Sequence, residues 1–229
     1  MDYVYVCRPG ENEELRYSIR SLVKNLPDVK VWIIGDAPSW YTGNLIKTIA
    51  HRDKYVTVRR NLTVLCETDE IGEDFVLMND DFFVMQPMDR VAVWHRGLLR
   101  DSCNRRKQIE PYSMYTKFLF TTHKIIHSLG IEDPLDYELH TPLPLTKQSL
   151  FKAVGKPGLW RSIAANSNGI GGEQHNDVKL YDPRSALYRE IEPNSPYLSC
   201  DDGSFPILLE KLKEAFPDPS PYESIDAGV

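Results

Sequence analysis

Phe75-Val76-Leu77-Met78-Asn79-Asp80-Asp81-Phe82-Phe83-Val84-Met85 sets two apolar runs on either side of a turn that ends in paired carboxylates. Carboxylates among such neighbours are costly to bury unless a cation or a hydrogen-bond network compensates them. Two readings meet that cost. Asn79 and Asp80 supply ordinary β-turn chemistry between two strands. Alternatively, Asp81, with Asp80 assisting, holds a hard divalent ion whose shell a diphosphate completes.

Upstream, Asp2-Tyr3-Val4-Tyr5-Val6-Cys7 is apolar on both faces, as a central strand is, and Arg8-Pro9-Gly10-Glu11-Asn12 breaks it. Leu15, Ile19, Leu22, Val23 and Leu26 recur at helical spacing, and Pro27 closes the helix. Val29–Gly35 reads as a second buried strand, ending at Asp36. Strand, helix and strand in that order give a right-handed crossover with parallel pairing. The pattern further predicts a helix near Gly43–Ala50, a short strand at Tyr55–Val58 and a helix from Asn61 to Thr68. Such alternation predicts an α/β fold with an open mixed, mostly parallel sheet flanked by helices. Ligands of these sheets sit beyond the carboxyl ends of the strands, where Pro9-Gly10-Glu11, Asp36 and Asn79-Asp80-Asp81 all fall.

Beyond the acidic turn the pattern is less regular. Thr116–Leu129 reads as a helix ending at Gly130, Asp133–Pro144 as turn-rich, and Ser149–Val154 as a helix. Asn166–His175 is rich in Gly and Asn and reads as a surface loop, or as a mobile lid. Tyr197–Cys200 leads into a second acidic pair, Asp201-Asp202, and Ile207, Leu208, Leu212 and Phe216 mark a terminal helix stopped by Pro217.

Apolar residues make up 41% of the 229 and charged residues 26%, a globular balance with room for one sizeable core. No apolar run is long enough for a membrane span, and Met1–Val6 lacks the basic-then-apolar pattern of a signal peptide. Cys7, Cys66, Cys103 and Cys200 are scattered, which argues against zinc and against a disulfide framework and fits a reducing cytoplasm. Asn61-Leu62-Thr63 matches the glycosylation sequon by pattern only. A net charge of −6 disfavours a general nucleic-acid binder. Even so, Arg96, Arg100, Arg105, Arg106 and Lys107 form a basic block after the acidic turn. That block is either a solvated face or a contact for the phosphates of a donor or a nucleic-acid acceptor.

Taken in order, several segments resemble one family. Glu14-Leu15-Arg16-Tyr17-Ser18-Ile19-Arg20-Ser21-Leu22, Asn25-Leu26-Pro27, Val31–Ile34 and Ala37-Pro38-Ser39-Trp40 resemble the second conserved region of the Stealth family of sugar-phosphate transferases. Met78-Asn79-Asp80-Asp81-Phe82-Phe83 resembles its Asn-Asp-Asp motif, and His140-Thr141-Pro142 its His-containing third region. Trp160-Arg161 sits where the fourth region carries an aromatic–Arg pair. Cys200-Asp201-Asp202 and Phe216–Glu223 resemble the closing segment. The family's first region is reduced here to Val4–Gly10, and the chain is short, as are small bacteriophage glycosyltransferases that it also resembles.

The resemblance implies a GT-A-like, Rossmann-like core that binds a nucleotide-sugar. Residues 1–95 would form the donor half of a single domain, and 96–229 the acceptor half. It implies Mg²⁺ or Mn²⁺ on Asp81 and Asp80, with Asn79 orienting the turn and Asp36 and the Pro9-Gly10-Glu11 loop on the nucleoside. Arg161 would grip phosphate as a bidentate fork. His140, Asp201 and Asp202 are the bases available to deprotonate an acceptor hydroxyl. Structural alternatives stay open: His140 as a core histidine, and Arg16 and Arg20 as partners of surface acids such as Glu13. The expected donor is a UDP-sugar, and the acceptor a glycan, a protein or a hydroxylated DNA base reached through the basic block. Glycosyl transfer releasing UDP, sugar-phosphate transfer releasing UMP, and donor binding without turnover all remain open. The expected setting is the cytoplasm, that of a host cell if the chain is of phage origin.

Overall fold

The structure is a computed structural model that describes residues 1–181 and 195–224. Its strands are β1 (Asp2–Cys7), β2 (Lys30–Gly35), β3 (Asn44–Lys47), β4 (Asp74–Met78), β5 (Phe82–Val84), β6 (Trp94–His95), β7 (Leu143–Thr146), β8 (Glu173–Gln174), β9 (Lys179–Leu180) and β10 (Tyr197–Cys200). The helices are α1 (Glu13–Asn25), α2 (Lys54–Glu67), α3 (Leu99–Ile109), α4 (Met114–Ser128), α5 (Lys147–Val154), α6 (Trp160–Asn168) and α7 (Phe205–Ala215).

Five strands make an open sheet in the order β3-β2-β1-β4-β7. β1 pairs in parallel with both β2 and β4, β2 with β3, and only β7 runs antiparallel, against β4. The fold is thus α/β, with a mixed and mostly parallel sheet between helices. Alternation along the strands sends Val4, Trp32, Ile34, Phe75 and Leu77 into one core, shared with residues of α2 to α6. Tyr3, Tyr5, Val31, Ile33, Val76 and Met78 face the other way, against Leu15, Ile19 and Leu22 of α1. Burying each of those three α1 side chains stabilises the packing by about 2 kcal/mol. Asn12 starts that helix by accepting a hydrogen bond from the Leu15 amide at 2.9 Å.

After β4 the chain turns and enters a second sheet, β5-β10-β9, packed under α7 through Phe83, Leu198, Leu208 and Leu212. The C-terminal segment returns to α1, where Arg20 grips Glu223 with both guanidinium branches at 2.8 and 2.6 Å. Because β7 belongs to the first sheet, residues before and after position 95 share one set of strands.

Several local expectations are corrected. Gly43–Ala50 is not a helix but holds β3, an edge strand whose alternate residues face solvent. Tyr55–Val58 is not a strand; it opens α2, which Asp53 caps. Val56, Thr57 and Val58 carry a strand-like bias, yet the buried positions Thr57, Asn61, Leu62 and Leu65 follow the helical period. Asn61 is fully buried and bonds Thr48 and the Ile34 carbonyl, so its sequon is structural. The turn-rich segment ends in β7, an edge strand that accommodates Pro144. Asn166–His175 is less loop-like than expected: α6 extends to Asn168, and Glu173 and Gln174 form β8, paired with β6.

The closeness of β1 to β2 makes Gly35 irreplaceable. Its φ is +129°, and a Cβ there would lie 2.1 Å from the Cys7 carbonyl oxygen. Gly35→Ala is expected to cost about 2–3 kcal/mol in urea unfolding; a loss below about 0.5 kcal/mol would contradict this packing.

Candidate functional site

The acidic turn is a turn indeed: the Phe82 amide donates to the Asn79 carbonyl at 3.2 Å. It also carries the chain from one sheet to the other, which leaves Asp81 only 8% exposed. Two neighbours compensate that carboxylate. Lys179 Nζ lies 2.9 Å from its Oδ2, and Ser199 Oγ donates to the same oxygen at 3.1 Å. Asp80 receives Asn12 Nδ2 at 2.7 Å, so the residue that caps α1 also fixes the turn. Burial pushes the Asp80 carboxyl upward, and the bond from Asn12 partly offsets it.

These groups open onto a cleft of about 670 Å³ beyond the carboxyl ends of β1, β4 and β10. Five carboxylates line it, Glu14, Asp80, Asp81, Asp201 and Asp202, against three cations, Arg8, Lys54 and Lys179. Glu14 feels both its burial and this excess of negative charge. Burial, then Asp80, Asp81 and Asp202, push its carboxyl up to about 7. A smaller cleft, of about 330 Å³, adjoins the first through Arg8, Lys54 and Asp80, and adds Pro9, Gly10, Glu11, Asn12, His51 and Arg52. Hard carboxylate oxygens in electrostatic excess are the donor set a divalent ion takes. Mg²⁺ in particular uses one or two carboxylates and leaves its other positions to phosphate or water. Among the described residues no group of three carboxylates, imidazoles or thiols is placed to hold a metal ion. Asp80 and Asp81 would suit an ion only where a bound diphosphate or water supplied the rest of its shell.

His140 lies on the far side of Phe82, their rings edge to face at 6.4 Å between centroids. The resemblance puts His140 and Arg161 in separate regions, and the structure brings the two segments together. Arg161 is buried and donates Nε to the Tyr137 carbonyl, and Nη2 to the carbonyls of Leu139 and Thr141 at 3.2 and 2.7 Å. Only Nη1 lacks a partner among the described residues. Arg161 is thus a strut for the segment that carries His140, and what it has left for phosphate is one N–H rather than a fork.

Of the other expected residues, Asn79, Asp201 and Asp202 line the large cleft, with Asp201 Oδ1 also accepting the Ser204 amide at the start of α7. Pro9, Gly10 and Glu11 line the smaller one, where Glu11 accepts from Ser39. Asp36 lines neither and pairs with Lys47 at 3.7 Å. The basic block sits on and before α3 and is largely neutralised within the chain. Arg96 pairs with Asp177, Arg100 with Asp133 and Arg106 with Glu110, while Arg105 bonds Ser102 and Lys107 is exposed. Arg16 pairs with Glu13, and Arg20 with Glu223.

Arg8, Glu14, Lys54, Asp177 and Lys179 escaped sequence reasoning. A signal for the last two existed. Asp177-Val178-Lys179-Leu180-Tyr181 alternates polar and apolar residues, with Val178 and Leu180 buried, as a strand does.

No family model matches the chain, and no curated protein matches it. Among solved structures it is similar to the apo form of the glycosyltransferase GlyE of Streptococcus pneumoniae TIGR4, with a TM-score of 0.36 and 11% identity over 86% of this chain and 53% of that one. A second structure of GlyE from the same organism gives a TM-score of 0.31 and 9% identity over 94% of this chain and 83% of that one. The chain spans about half the length of the first of these structures.

Proposed function

We propose that the chain is a metal-dependent glycosyltransferase of GT-A type, moving a sugar from a UDP-sugar to the hydroxyl of a glycan or protein. One observation carries the reading: the paired carboxylates Asp80 and Asp81 and the cations Arg8, Lys54 and Lys179 share one cleft beyond the strand ends. A diphosphate donor needs both. Asp81 and Asp80 would hold Mg²⁺ or Mn²⁺, which when bound neutralises the diphosphate and stabilises the departing nucleotide. Arg8 and Lys54, shared by both clefts, bind phosphate oxygens. The Pro9-Gly10-Glu11 loop bounds the space for the nucleoside. His140 takes the proton of the acceptor hydroxyl. Asp201 Oδ1 already accepts the Ser204 amide in the turn before α7, which favours His140 over it. Ion pairing of Arg96, Arg100 and Arg106 within the chain favours a glycan or protein acceptor over a modified DNA base. A cytoplasmic setting belongs to the reading and rests on four unpaired thiols. No helix among the described residues is long and apolar enough to cross a membrane.

Sugar-phosphate transfer is the second reading. It rests on the resemblance to the Stealth family, two of whose regions meet where Arg161 holds the His140 segment.

Product identity separates the two. With a panel of UDP-sugars, Mn²⁺ and a crude acceptor pool, UDP release is expected, with a loss of roughly 100-fold or more in Asp81→Ala. UMP release would establish sugar-phosphate transfer. Release of neither, with no metal-dependent nucleotide binding, would remove both. The cation site is tested separately through stability. Lys179→Met leaves Asp81 buried without its counter-ion and is expected to cost about 3 kcal/mol. Mg²⁺ should then raise the melting temperature of Lys179→Met more than that of the parent; equal shifts would show that Asp81 does not hold the ion.

A further inference from the structure

We propose that Asp177 is the positioning residue of the base: it takes the Nδ1–H of His140 and leaves Nε2 free to accept the proton of the acceptor hydroxyl. The proposal rests on the transferase reading above and supplies a residue that the sequence did not suggest.

The grip on His140 is more elaborate than a core histidine needs. One carboxylate holds both its backbone and its ring. Asp177 Oδ1 accepts the His140 amide at 3.3 Å, and Oδ2 lies 2.9 Å from Nδ1. Arg161 holds the carbonyls immediately before and after it. Phe82 and Tyr181 meet the ring edge to face, at 6.4 and 6.0 Å between centroids. Arg96, itself 3.9 Å from Asp136, donates to Asp177 and keeps the carboxylate in place. After all this the ring is still about a quarter exposed, at 26%, and Nε2 makes no hydrogen bond among the described residues. Burial works against ionisation of Asp177, yet the hydrogen bond to His140 and the Arg96 guanidinium hold its carboxyl below the usual carboxylate range.

A carboxylate on Nδ1 sets the tautomer, because Nδ1 must then carry the hydrogen and Nε2 the lone pair. In the reaction the acceptor oxygen forms its bond to the anomeric carbon, and the bond from that carbon to the diphosphate oxygen breaks. Its electron pair leaves with UDP. The hydroxyl proton moves to Nε2, and the imidazolium that results is stabilised by Asp177 until the proton passes to water. The charged groups on the elements around the ring are Asp177, Lys179 and Tyr181 on the β9 segment, Arg96 behind Asp177, and Arg161 on α6.

The tautomer can be read without turnover, from the ¹⁵N shifts of the His140 ring in neutral protein, with His140→Gln to assign the signal. Nδ1–H is expected in the parent, and a mixed or reversed tautomer in Asp177→Asn. Nε2–H in the parent overturns the proposal whatever the product assay gives, and needs no variant to fold. In turnover with the UDP-sugar that the panel selects, Asp177→Asn is expected to lose about 100-fold or more in kcat with little change in donor KM. The double variant with His140→Gln should be no slower than the worse single variant. Losses that multiply would mean that Asp177 supports the fold rather than the base, and would overturn the proposal. Absence of both UDP and UMP release removes the transferase reading, and with it the catalytic role, even where the ring is Nδ1–H.

Discussion

A carboxylate held almost out of water at the seam between two sheets sets the terms for the rest of the molecule. Asp81 stands where the chain leaves the parallel sheet at β4 and enters the antiparallel pairing at β5. An unpaired charge there would cost several kcal/mol. The second sheet supplies the remedy through its register: Ser199 pairs with Phe82 on one side and with Lys179 on the other. The strands β10 and β9 therefore deliver a hydroxyl and an ammonium to the same oxygen. Seen this way, the small sheet is the scaffold that makes an acidic turn tolerable beside a hydrophobic core. It also leaves that turn facing a polar cleft.

The same short strand serves a second centre. Period-two alternation puts Asp177, Lys179 and Tyr181 on one side of the β9 segment while Val178 and Leu180 enter the core. Lys179 goes to Asp81, Asp177 to His140, and Tyr181 to the His140 ring. A cation on one carboxylate and a carboxylate on one imidazole are thus spaced by two residues of a single extended segment. Shifting its register by one residue would undo both contacts at once and bury their polar groups. The acidic turn and the His140 ring are mechanically linked through five residues.

The sequence was most readable where one physical pattern dominated. Continuous apolar runs bounded by Pro, Gly or Asp marked β1, β2 and β4, and a strong helical period marked α1. The position of the acidic turn at a strand end followed from those. β3 and the first turns of α2 depart from the sequence pattern because β-branched and polar residues are mixed there, and tertiary packing decides what propensity leaves balanced. The helix expected from Asn61 is the second half of α2. β7 is hidden by Pro142 just before it and Pro144 within it, the latter a residue that an edge strand accepts and a central strand would not. Partners such as Lys179 and Asp177 were not legible as partners, since they lie 98 and 37 residues from the groups they touch. Their own strand showed only a five-residue alternation, too short to stand out before its neighbours in space were known.

Arg161 illustrates how a recognised residue changes its meaning once its contacts are known. As a surface guanidinium it would be a phosphate fork; buried, it spends three N–H bonds on carbonyls and draws charge support from Glu138 and Asp81. Its contribution is geometric, fixing the two peptides that flank His140. On the proposed reading that role would serve either reaction equally, because a held imidazole would remove the same hydroxyl proton whether the oxygen then attacks an anomeric carbon or a phosphorus. The choice of bond would then be made on the donor side, where Arg8, Lys54, Asp80 and Asp81 line the cleft. There, the depth at which a diphosphate sits would select the electrophilic atom brought to the oxygen.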